Sequence, residues 1–136
     1  MKPITRHILL LVCLALWAPL TPAQTLDELT ASTREKYEQI ITGGQFPKEL
    51  TPLQSQLQDK SAAVRIKAVQ ALSLVGSPMS ALLLMPAMDD DIESDPAVRI
   101  EAARGLGDIG GRQALEILGI GVTDKDAAVR KRVVES

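Results

Sequence analysis

The chain has 136 residues, room for one domain, and carries 17 acidic against 15 basic side chains. Apolar residues make up 46% but aromatics only 2%. A core must then come from Leu, Ile, Val, Ala and Met, which suits closely packed helices better than β-sandwiches or barrels. The same balance excludes a nucleic-acid binder, which needs excess positive charge and usually stacking aromatics.

Lys2, Arg6 and His7 open the chain with positive charge, and Ile8 to Trp17 is an unbroken apolar run. Pro19 and Pro22 break any helix there, and Thr21 and Ala23 stand at the two small-residue positions a signal peptidase reads. The run is far short of the roughly 20 residues that span a membrane. Val12 precedes Cys13 where a lipoprotein signal wants a small residue. Residues 1–23 therefore read as a cleaved secretory signal, cut after Ala23, with an uncleaved anchor as the alternative; after cleavage the protein is expected in the periplasm or outside the cell with no membrane segment left. Cleavage removes the only Cys, His and Trp and leaves 13 basic against 17 acidic side chains. No disulfide, no His- or Cys-based metal site, no cofactor and no activated nucleophile is expected in what remains.

Next, Leu26 to Ile41 reads as a helix with Leu29, Tyr37, Ile40 and Ile41 on one face, ended by Gly43-Gly44. Residues 24–47 are taken as a capping helix and linker, and 48–136 as the main domain.

That domain repeats itself. Leu50, Leu53 and Leu57 align with Ala81, Leu84 and Met88 and again with Leu115, Leu118 and Val122, and Asp59, Asp90 and Asp124 close the three helices. A second helix follows each, opening on Ala63-Val64-Arg65, Ala97-Val98-Arg99 and Ala128-Val129-Arg130. Val64, Ala68, Ala71, Leu72 and Val75 fall on one helical stripe. Ser61 and Asp95 stand as N-caps, Pro96 at a first helical position, and Gly76 and Gly110 as left-handed C-caps. The unit is helix, turn, helix over about 48–77, 78–110 and 111–136. The turn between Asp90 and Pro96 is three residues longer than its counterparts, and the last unit lacks its closing Leu and Gly.

Asp59 with Val64-Arg65 and Ala71-Leu72, Val98-Arg99 with Gly105-Leu106-Gly107, and Asp124 with Val129-Arg130 together resemble the HEAT repeats, in their short phycobilisome-lyase variety. The resemblance covers about two-thirds of the chain and speaks for architecture more than for function. It implies an all-α fold, a right-handed α-solenoid of antiparallel helix pairs with two full repeats and a truncated third. It also implies a ladder in which Asp and the Arg six residues later link neighbouring repeats: Asp59, Arg65, Asp90, Arg99, Asp124 and Arg130. Asp90–Arg99 departs from that spacing by the inserted three.

The resemblance further implies that the second helices line an inner surface. A helical wheel puts Ile66, Lys67 and Gln70, then Ile100, Glu101 and Arg104, away from the core stripe, with Lys131 and Arg132 at the corresponding places of the third repeat. Packing between repeats explains both isoleucines, and a partner-binding ridge is the sharper alternative.

Other loaded stretches read more plainly. The acidic turn Asp89 to Asp95 is expected to be solvated charge near a helix N-terminus; calcium is the alternative, although Ser94 and Ile100 stand where an EF-hand has Gly and Glu. Lys125, Arg130, Lys131 and Arg132 form a basic cluster on the final helix. Gly105-x-Gly107-x-x-Gly110 ends a helix, whereas a dinucleotide fingerprint opens one. The expected function is a non-enzymatic scaffold that binds a protein partner, with self-association through the unfinished last repeat as one option. An accessory or lyase-like subunit and a truncated gene fragment are the alternatives.

Overall fold

The computed structural model describes residues 47–136 together with Glu35, Gln39 and Gly43. The expected signal and nearly all of the expected capping helix lie outside these. Among the described residues the secondary structure is wholly helical, and no helix is long and apolar enough to cross a membrane. A 3-10 turn, Lys48–Leu50, leads into α1 (Thr51–Gln56), followed by α2 (Ala62–Val75), α3 (Pro78–Leu83), α4 (Met85–Met88), α5 (Pro96–Ile109) and α6 (Gly111–Leu118). A second 3-10 turn, Gly119–Thr123, precedes α7 (Ala127–Glu135).

The elements fall into two ranks. The longer helices α2, α5 and α7 lie side by side in that order, with α5 central. The shorter elements cover them: α1 on α2, α4 and α6 on α5, the second 3-10 turn on α7, and α3 against α6. Between the ranks Val69, Leu72, Leu84, Met88, Val98, Leu106, Ile117 and Val129 are fully buried. Val75, placed on the core stripe by its spacing, is half exposed at the end of α2, and Val69 joins the core instead.

Local chemistry sets where helices start and break. Asp95 Oδ1 accepts from Ala97 N at 2.8 Å, and Asp126 Oδ1 from Ala128 N at 2.7 Å, each satisfying a free N–H of a first turn. Ser61 occupies the N-cap of α2 without a side-chain bond; its own N–H goes to Asp59 Oδ1 at 2.8 Å. Pro86 brings no N–H, so the first helix of the middle unit breaks at Leu84 into α3 and α4. Gly76 has the expected left-handed backbone, φ 65° and ψ 21°. Gly110 does not: its φ is 66° but its ψ is −171°, and it turns α5 straight into α6.

The alignment of the third first-helix also needs correcting. Leu115 is 67% exposed and Val122 49%, while Ala114, Ile117, Leu118 and Gly121 face the core. Ala and Gly carry little apolar signal, so the larger neighbours captured the pattern. They are small for a reason: a Cβ on Gly121 would collide with Met88 Cε and would lie 2.7 Å from Val133 Cγ2.

Candidate functional site

The turns between paired helices carry a repeated device. Arg65 donates from Nη1 to the carbonyl of Asp59 at 2.8 Å, and Arg99 from Nη1 to the carbonyl of Glu93 at 2.7 Å. Arg130 donates from Nη1 to the carbonyl of Asp124, also at 2.7 Å. Each arginine thus grips the turn six residues before it. The other edge of the guanidinium reaches into the next unit. Arg65 donates from Nε and Nη2 to the two Glu93 oxygens at 2.7 and 2.9 Å. Arg99 does the same to Asp124 at 2.7 and 3.0 Å. These are bidentate, charge-assisted pairs that fix both direction and distance.

The carboxylates are held in turn. Asp59, Glu93 and Asp124 each accept from the backbone N–H two residues on, at 2.8, 2.8 and 2.7 Å. Glu93 and not Asp90 is therefore the middle carboxylate, which corrects the rung expected at Asp90. The three inserted residues precede Glu93, so the spacing of six to Arg99 is kept. Asp90 lies beside the ladder, its Oδ2 and carbonyl taking the backbone N–H and Nζ of Lys125 at 3.2 and 2.9 Å.

Burial makes the interior rungs costly to break. The Arg99 and Asp124 side chains are each only 1% exposed. Hydrogen bonds to Asp124 raise the Arg99 pKa further despite desolvation. At Asp124 burial opposes the charged form, but Arg99, the Asp126 N–H and Lys125 outweigh it and hold the carboxyl below its ordinary value. Arg65 is likewise raised by Glu93 against the cost of burial.

The acidic turn is not solvated charge throughout, contrary to expectation. Asp89 and Glu93 are buried, Asp95 caps α5, and the carboxylates are dispersed among different partners. Among the described residues no cluster of three or more His, Cys, Asp or Glu side chains is arranged to hold a metal. A groove of roughly 500 Å³ runs beside the outer rung, lined among others by Leu57, Asp59, Arg65, Pro86, Ile92 and Glu93.

The second group of expected residues lies along α2, α5 and α7. Ile66 and Ile100 are partly buried and packed against the core. Lys67, Gln70 and Lys131 are exposed. Arg104 bridges Glu101 and Asp108, 2.6 Å from the latter, and holds the Glu101 carboxyl below its usual range, with help from Gln70. Arg132 and Lys131 both face Glu135 at 3.7 Å. Leu74, which the wheel did not single out, stands 90% exposed at the end of this face. The glycines of the Gly-x-Gly stretch pack closely: Gly105 sits against Ser73, and Gly107 against Ser136.

Residues 98–121, from Val98 of α5 through α6 into the second 3-10 turn, match the family model of the PBS lyase HEAT-like repeat. Searches of curated proteins and of solved structures return no match.

Proposed function

We propose that this chain, a HEAT-like repeat protein, is a non-enzymatic module that presents the outward face of α2, α5 and α7 to a protein partner. HEAT-like repeats generally mediate protein–protein interaction, using surfaces built by stacked helix pairs. The carrying observation is the division of labour among charges. The buried ions Arg99 and Asp124 satisfy one another. Lys67, Gln70 and the Glu101–Arg104–Asp108 network stay on the surface around a bare Leu74. An apolar anchor ringed by fixed polar groups is what a binding surface requires.

The finer reading is a right-handed α-solenoid of two full repeats and a truncated third. The two ranks of helices and the recurring turn geometry support it. An exported protein, in the periplasm or outside the cell, is supported by the character of residues 1–23, and cleavage there would remove the only Cys and His. A chain without those residues is poorly equipped for nucleophilic work at neutral pH.

The test is a crosslinked pull-down from the native envelope fraction with the purified protein as bait. Leu74→Glu and Arg104→Ala should each reduce capture of the same partner. Leu115→Glu, exposed on α6 away from this face, should leave it intact. Equal capture by all three, or substrate turnover by the isolated chain, would overturn the reading.

A further inference from the structure

We propose that the chain associates head to tail with a second copy of itself, Arg130 of one copy closing a further ladder rung with Asp59 of the next. The interior of the fold shows what such a contact looks like. Arg65 on Glu93 and Arg99 on Asp124 are two instances of one joint, formed wherever one unit lies on another.

The two flanks carry the two halves of that joint. Arg130 is pinned by Nη1 to the carbonyls of Asp124 and Lys125 at 2.7 and 3.1 Å, as Arg65 is to those of Asp59 and Lys60 at 2.8 and 3.2 Å. Its Nε–Nη2 edge meets no carboxylate among the described residues. On the opposite flank Asp59 is fixed by the Ser61 N–H in the way Glu93 and Asp124 are fixed by theirs. No arginine among the described residues takes its carboxylate, and it is exposed where Glu93 and Asp124 are buried.

The apolar positions tell the same story. Val134 corresponds in the repeat to Val69 and Ala103. Those two are fully buried, while Val134 is 83% exposed. Across the molecule Val75 stands half exposed at the end of α2. Each flank therefore offers one fixed charge of opposite sign and a bare aliphatic group. The surface is complementary to the other end of another copy, not to itself. Such a heterologous contact propagates into open chains unless its rotation happens to close a ring. It engages the flanks and leaves the α2–α5–α7 face available, so it goes beyond the partner-binding role above.

Sedimentation velocity of the purified protein over rising concentration tests this. The mean mass should climb with concentration and fall with added salt. Arg130→Glu and Asp59→Arg should each weaken association at least about tenfold by setting like charges opposite one another. Mixing the two variants should restore it, because every mixed contact then pairs opposite charges. Val134→Lys, at a site that supports no core packing, should weaken association with the helical circular dichroism unchanged. A wild-type protein that stays monomeric throughout overturns the proposal, as does association that ignores these substitutions or a mixture that fails to recover. Capture of a partner through Leu74 and Arg104 should survive Arg130→Glu, so this joint and the binding face can fail separately.

Discussion

Arg99 is the largest fully buried side chain in the described fold, and its charge is tolerable there because each of its three side-chain nitrogens has an acceptor. Removing its carboxylate should cost far more than the pair is worth, since an unpaired guanidinium would be left in the interior. Asp124→Ala is expected to lower stability by about 3–5 kcal/mol in urea melts. Asp90→Ala, whose Lys125 contact is largely exposed, should lose no more than about 1 kcal/mol. That contrast tests whether Asp90 stands outside the ladder to which Asp124 belongs. Acid sensitivity follows from the same residues. Asp124 and Glu101 have folded-state values below their ordinary ones. Their contribution is complete above the unfolded-state values, about 3.9 and 4.3, and is lost as pH falls through the lower folded-state values. Urea midpoints should therefore hold steady down to roughly pH 5 and then drop, and Asp124→Asn should flatten that drop. The arginines of the ladder were legible in the sequence because their Val-Arg context recurs. Glu93 escapes an alignment that matches aspartate only with aspartate. Counting six back from each arginine finds Glu93 directly.

Among the elements, the second helix of each unit was easier to read than the first. α2 and α5 carry caps, a long apolar stripe and terminal glycines, so periodicity and end signals agree. α6 with its 3-10 extension has only a short stripe in which Ala114 and Gly121 do the packing, and small residues leave no mark in a hydrophobicity pattern. The corrected phase makes a sharp contrast. Ile117→Ala should cost about 2–5 kcal/mol by leaving a cavity between the ranks. Leu115→Ala should stay within about 0.5 kcal/mol, as surface changes usually do. Gly121→Ala should be unexpectedly severe for one methyl group, about 1–3 kcal/mol, because Met88 and Val133 must both move. Thermal or urea unfolding of the three variants side by side would show whether the 3-10 turn lies as close to α4 and α7 as the packing requires.

Across the whole molecule, stability should be graded along the row of long helices, because α5 has a long helix on each side and α7 on only one. α7 buries only Val129 and Val133, and the outer edge of its arginine does no work within the described fold. Amide hydrogen exchange at low concentration should show the strongest protection in α5 around Ala102 to Leu106 and the weakest in α7. If copies join end to end, raising the concentration supplies α7 with the neighbour that α2 and α5 already have. Its protection and that of the Asp59 flank should then rise, while α5, already enclosed, changes little. Arg130→Glu should abolish that concentration dependence and leave the protection of α5 as it was. Protection rising evenly over all helices would instead indicate association through some other surface, and no rise at all would mean the open edge of Arg130 stays solvated.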